Sequence, residues 1–399
     1  MSNRKEYVQH LRLWLIVLSG VSLLGLCLAA CSQTTWSQWL NPVELTLLSV
    51  IELPNEIISD QIAITAKGYV YVTHVSGSVA ILEKATLVKL LALPQNREHK
   101  SLDGQIVVHP QTDLVYLTDD LNDVMYVLRG TAIVSTVTDV GLAPSALAIH
   151  PSTGYVYVGG LPAIPNTLGG IVSVITQTHV ITQIPIGLAA NVLTPDERNR
   201  QVYVGQPVVL KAVFPPEQQA LLAVIDETSL ITMTSLGYPW GDGSINAIEV
   251  NPNTGEVYMI ENLATLVYWH GDVIKRLNLA KLGYTALNDI AIDRRTNLVY
   301  VSSWGDPRSH VVVLDQDQIV AAIVVGRDPR QIAIDETHDA IYVANRLSGS
   351  ISVLRGAAVL QTIKTNGGGP MHLGLDEARG YLYAANSDSH SIAVFRIGP

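Results

Sequence analysis

Ile332-Ala333-Ile334-Asp335, a short turn, then Ile341-Tyr342-Val343-Ala344-Asn345 make the most regular copy of a phrase that this chain carries eight times. Apolar and small residues alternate, a short polar residue follows, and a tyrosine sits inside the next alternating run. The tyrosines are Tyr71, Tyr116, Tyr157, Tyr203, Tyr258, Tyr300, Tyr342 and Tyr383, spaced by 45, 41, 46, 55, 42, 42 and 41 residues. Alternation of period two marks strands. A repeat near 42 residues, built of such strands, predicts an all-β fold, a β-propeller.

Outward from Tyr342, the alternation predicts strands over residues 331–334, 340–344, 350–354 and 358–364, joined by tight turns. Four such strands make one antiparallel blade. A single blade leaves both faces uncovered, and stacking copies around an axis covers them. Eight copies predict eight four-stranded blades. Seven is the alternative, if the irregular fourth copy, with its long insertion over residues 205–219, is not a full blade. The eighth copy stops after its third strand. The apolar residues 44–53 precede the first copy and are expected to supply the missing strand and close the ring, which removes an exposed edge.

The repeat also accounts for most residues that look chemical. Thr65, His109, His150, Thr194, Asn251, Asp293, Asp335 and Asp376 all fall at the turn after the first strand, where short polar side chains bond turn amides. His109 and His150 therefore read as turn residues, not metal ligands. The eight tyrosines read as packing residues between blades, not as a stacking surface for nucleic acid.

The first thirty residues lie outside the repeat. Arg4, Lys5 and Arg12 precede an apolar run that ends in Leu28-Ala29-Ala30-Cys31. A basic start, an apolar centre and small residues at the end describe an export signal. The last four residues resemble a bacterial lipobox. That resemblance implies cleavage before Cys31 and acylation of Cys31, with palmitate-type chains sufficient for a stable membrane anchor. An uncleaved signal anchor is the other reading of the run. The expected organisation is a lipoprotein signal over 1–30, a lipidated tether over 31–42 and a propeller over 43–399. Trp36 and Trp39 in the tether suit either a lipid interface or packing on the propeller rim.

Cys27 and Cys31 are the only cysteines. Cys27 lies within the signal, so the mature chain is expected to hold no disulfide and no thiol nucleophile. The formal charge is −10, and removal of the signal leaves it near −12. That balance argues against general nucleic-acid binding.

Ile341-Tyr342-Val343-Ala344-Asn345, Gly349-Ser350-Ile351-Ser352-Val353 and Tyr381-Leu382-Tyr383-Ala384-Ala385-Asn386 resemble the YVTN-repeat family of bacterial and archaeal propellers. The resemblance covers residues 44–399. It implies the propeller fold and is uninformative about activity, since relatives include surface-layer and exported proteins and distant lactonase-like and haem-bearing propellers. The family is commonly seven-bladed, and eight copies depart from that.

Binding residues concentrate on loops carried by a rigid scaffold. In a propeller these loops precede the first strand and join the second to the third. Here they hold Arg97, His99, Trp240, Asp242, Trp304, Arg308, Arg327, Arg330, Arg346 and His372. Trp240, Trp304, Arg330, Arg346 and His372 form the expected ligand face, because arginine beside an aromatic suits an anionic or sugar-like ligand. A salt-bridged, solvated loop face is the competing reading. Glu249 replaces the small residue found at Ala63, Ala148, Ala291 and Ala333. It can carry a raised pKa, bind a cation, or face a water-filled channel. Asp119-Asp120-Leu121-Asn122-Asp123 groups hard oxygen donors, with Asp119 and Asp123 as conceivable calcium ligands, but the spacing is not that of an EF-hand, and a polar turn explains it as well.

Cys-x-x-Cys-His, His-Glu-x-x-His, Gly-x-Ser-x-Gly and phosphate-binding glycine loops are absent from the sequence. The expected function is a lipid-anchored extracytoplasmic scaffold, monomeric, that binds a protein, glycan or small anion through one loop face. No catalytic residue and no cofactor is assigned, although a divalent cation is conceivable. A lactonase-like or other metal-assisted hydrolase or lyase is the alternative.

Overall fold

A computed structural model of the chain describes residues 43–53, 58–74, 77–94, 104–163, 169–206, 221–235, 244–305 and 309–398. These residues form eight four-stranded antiparallel sheets. Blades one to eight begin with Ile58–Ile64, Ile106–Val108, Leu142–Ile149, Val192–Asp196, Ile245–Val250, Ala286–Ile292, Pro329–Asp335 and Pro370–Asp376. Strand order within a sheet follows chain order, except in blade eight. There Leu45–Glu52 pairs with Ser391–Ile397, with Leu45 opposite Ile397 and Glu52 opposite Ser391. The closing strand expected over residues 44–53 is therefore present.

Each first strand lies against the first strand of the next blade, and that of blade eight returns to that of blade one. The first strands thus ring the axis. Blade four is a complete sheet, Val192–Asp196, Gln201–Gly205, Leu221–Asp226 and Ser229–Ser235, so the seven-bladed alternative falls.

The register explains the repeated phrase. Tyr342 pairs with Ala333, Tyr300 with Ala291, Tyr258 with Glu249, and Tyr203 with Thr194. Thr194 therefore occupies the tyrosine-paired position and not the turn position expected for it. The turn residue of blade four is Asp196, opposite Gln201. The misreading arose because Pro195 interrupts the apolar alternation that marks the strand end elsewhere.

Turn chemistry then repeats as expected. Asp196, Asn251, Asp293 and Asp335 each accept a backbone N–H two or three residues ahead, from Arg198, Asn253, Arg295 and His338, at 2.9 to 3.0 Å. Eight separate apolar clusters fill the eight blade-to-blade interfaces, and each contains one of the eight tyrosines. The core is thus a ring of equivalent interfaces, as repeat stacking requires.

Antiparallel order puts the first-to-second and third-to-fourth turns on one face, called here the turn face. The second-to-third loops and the connections between blades lie on the other, the loop face. Val43 enters from the turn face, because Gly398 donates to Glu44 O and Ile397 to Gly380 O there.

Candidate functional site

Among the described residues, two of the places that gather polar side chains bear on function. The first is a cavity of about 530 Å³ among the inner strands of blades five to eight, lined by Glu249, Asp289, Arg294, Gln331, Glu336 and Glu377 with Ile290, Ile332 and Ile334.

The inner strands build it through a recurring contact. Two residues before the tyrosine-paired position, a polar side chain reaches the next blade. Gln105 Oε1 accepts from Leu147 N (3.2 Å), Asp289 Oδ2 from Ile332 N (2.8 Å) and Gln331 Oε1 from Leu373 N (2.6 Å). His372 occupies the same strand position in blade eight, so it belongs to this inner ring and not to a loop. In blade five the position is Ala247, which has no acceptor to offer. The carboxyl stands instead two residues on, at Glu249, where the other blades carry Ala63, Val107, Ala148, Thr194, Ala291, Ala333 and Gly374.

Glu249 and Asp289 are half-buried by surface area because they face the cavity, with the surrounding inner strands packed close around them. Burial among the inner strands pushes the Glu249 carboxyl up to about 8. The Asp289 charge raises it further, Arg294 opposes the rise, and Glu197 adds to it. Burial raises Asp289 to about 6, against the backbone N–H groups of Ile332 and Ile290, which stabilise its charge. Near neutral pH, Glu249 therefore holds a proton while its neighbour Asp289 is ionised, an arrangement that can donate and accept protons in one site. Arg294 is held at the mouth by Glu197 (3.0 Å) and lies 4.0 Å from Glu336.

Among the described residues, no group of three or more His, Cys, Asp or Glu side chains is disposed around a metal position, and the Arg294 guanidinium shares the cavity. Asp119 bonds within its own loop, and Asp123 reaches the first strand of the next blade. Asp119 Oδ1 accepts from Leu121 N and Asn122 N, and its Oδ2 from Asn122 Nδ2, at 3.2, 3.0 and 2.7 Å. Asp123 Oδ1 accepts from Ala143 N at 2.8 Å.

The second place is on the loop face. Arg330 and Arg346 do converge, and Asp328 is what joins them. Arg330 Nη2 donates to Asp328 Oδ2 at 3.0 Å, and its Nε lies 2.9 Å from Oδ1. That second contact is ionic, since the N–H is not aimed at the oxygen and both atoms lack a hydrogen bond there. Arg346 Nη1 is 3.9 Å from Asp328 Oδ2, and its Nη2 donates to Asp388 Oδ1 at 3.0 Å. Asp328 itself is buried. The arginines therefore form a ladder with two carboxylates, which answers to the salt-bridged reading more than to an open anion pocket.

Trp304 stands one blade away with its ring about half exposed. Tyr284 and His310 form an edge-to-face pair at 5.3 Å on the same rim. Arg97, His99, Trp240, Asp242, Arg308 and Cys31 lie outside the described residues. Sequence reading missed Asp289 and Asp328. Asp289 was findable, because it shares its strand position with Gln105, Gln331 and His372. Asp328 carried no signal, since its importance depends on two arginines brought to it by folding.

No family model and no curated protein sequence matches the chain. Solved structures do share its fold. A chain of Kuenenia stuttgartiensis hydrazine synthase is similar with a TM-score of 0.55 at 13% identity, over 86% of this chain and 96% of that one. BamB from Moraxella catarrhalis is similar with a TM-score of 0.60 at 16% identity, over 88% of this chain and 100% of that one.

Proposed function

We propose that this chain is a lipid-anchored extracytoplasmic propeller of the YVTN-repeat type that works as an interaction scaffold through its loop face. One observation carries the reading. Among the described residues, exposed large apolar side chains lie on the outer strands or on the loop face, as with Leu142, Leu161, Leu263, Leu282, Trp304 and Leu347, and none lies in a turn of the turn face. Apolar surface left in water at one face is the mark of a surface that is covered in use. Fold likeness alone does not choose a function here, because one similar structure is a BamB and the other a hydrazine synthase.

Two experiments test the two halves. A photo-crosslinking residue at Leu347 or Leu263, introduced in cells, is expected to trap a protein adduct, whereas the same residue at Lys67 or Lys84 on the turn face is not. Adducts from both faces alike, or none from the loop face, would sink the scaffold reading. Cys31→Ser is expected to abolish fatty-acid labelling and move the protein out of the membrane fraction. Unchanged labelling removes the anchor.

A second reading rests on the Glu249–Asp289 pair, which supports an enzyme using acid–base chemistry in the cavity. Lactone or ester turnover by the purified chain that disappears in Glu249→Gln supports it. Turnover that survives this substitution places any activity elsewhere.

A further inference from the structure

The loop face is not uniform. Its arc over blades five to seven joins apolar, aromatic and basic groups. Leu263 and Leu282 lead to the Tyr284–His310 pair and Trp304, and then to Arg327, Arg346 and Leu347 of the next blade. Backbone bonds hold the last group together: Arg327 N donates to Ser348 Oγ at 2.7 Å, and Arg346 N to Asp328 O at 2.9 Å. Lys364 is drawn in beside them, donating to Ser348 O at 2.7 Å.

The charge of this arc opposes that of the molecule. Arg327, Arg330, Arg346 and Lys364 face only Asp328 and Asp388 in the described part of the sector, on a chain whose formal charge is −10. Asp328 is buried and already shared by two guanidinium groups. Arg327 is exposed, and among the described residues no carboxylate pairs with it. Tryptophan, tyrosine and arginine clustered beside leucines is also the composition of interface centres. Val43 enters on the opposite face.

We infer that the arc formed by Leu282, Trp304, Arg327, Arg346 and Leu347 docks a segment of another protein that presents carboxylates beside a large apolar side chain. The inference rests on the scaffold reading and narrows it to one sector and one partner chemistry. The apolar anchor would lie between Trp304 and Leu347, and its flanking carboxylates would meet Arg327 and Arg346. Such an encounter is favoured by the local charge and weakened by salt.

A random twelve-residue peptide library displayed on phage and selected on the full chain tests this directly. The expected winners carry two or more Asp or Glu next to Trp, Phe or Leu. Synthetic peptides from that pool, measured by fluorescence anisotropy, are expected to bind at least about tenfold more weakly to Arg327→Glu and to Trp304→Ala, and more weakly as sodium chloride rises. Both side chains are exposed, so the variants are expected to keep the wild-type melting temperature, and Leu347→Asp provides a third, independent lesion. Winners that lack acids, or that bind all three variants as well as wild type, overturn the arc while leaving a scaffold acting elsewhere. Failure to enrich any peptide, together with no crosslinked adduct from Leu347, overturns both. Flotation with phosphatidylglycerol vesicles that is lost in Arg327→Glu would assign the arc to lipid headgroups and also overturn the proposal.

Discussion

At the scale of single residues, the same side chain does different work according to where the repeat places it. Tyr71 Oη donates to Gly130 O at 2.7 Å and Tyr157 Oη to Glu227 O at 2.9 Å. Both acceptors lie in the third-to-fourth turn of the following blade, so each tyrosine fastens one blade to the next. Tyr71→Phe keeps the ring and loses this bond, at an expected cost of about 1 kcal/mol in urea unfolding. Tyr342 lies wholly inside its interface, and Tyr342→Ala is expected to cost about 3–5 kcal/mol through the cavity it leaves. Glu249 supplies the pH-dependent case. Its folded-state value near 8 stands above the ordinary 4.5, so between those values the native state binds more protons than the unfolded state. Its ionisation therefore removes stability as pH rises from about 4.5 through about 8. Glu249→Gln is expected to melt above wild type at pH 9 and together with it at pH 4. Equal melting at both pH values would show that the carboxyl is not held in its neutral form.

At the scale of elements, adjacent inner strands meet so closely that side-chain size is limited. Gly374 takes the tyrosine-paired position in blade eight, and a Cβ there would come within 2.4 Å of Ile62 Cγ2. Gly374→Val is expected to destabilise by about 1–3 kcal/mol through overpacking, measured by urea unfolding, where a neutral result would mean that the inner strands can part. The side-chain clasps across the same junctions give a finer test. Gln331→Glu retains an acceptor for Leu373 N and is expected to be milder than Gln331→Leu, which leaves that N–H without one. Strand positions, alternation and every turn residue but one were readable from the eight copies, because each copy checks the others. Asp196 was missed because Pro195 broke the pattern within one copy. The recurring polar position was readable, but the bonds it makes were not, because Gln105, Asp289 and Gln331 act on a neighbouring blade about 42 residues ahead.

At the scale of the molecule, closure is made by the two ends of the ring. Leu47 faces Phe395, and Gln361 of blade seven bonds both the N–H and the carbonyl of Leu45 at 2.9 and 3.0 Å. Because the last sheet needs both ends, loosening it exposes an edge strand and two interfaces together. Phe395→Ala is expected to cost about 3–5 kcal/mol. It is also expected to speed amide exchange in blades eight and one more than in blades three and four. Uniform exchange around the ring would instead mean that the whole ring opens as one unit.

The sequence by itself determined most of the architecture: eight copies of a four-stranded repeat, the last completed by a strand from the N-terminal side, and tyrosines that pack between blades, while the complete fourth blade decided eight over seven. Those features are local and periodic, so alternation and turn chemistry express them copy by copy. Only the tertiary structure decided the sites. It set Glu249 and Asp289 in one cavity, tied Arg330 and Arg346 to Asp328, moved His372 from a loop to the inner ring, and gathered Leu263, Leu282, Leu347 and Trp304 on one face. The first and last of those facts join residues of different blades, and a repeat sets such distances only once the ring has closed.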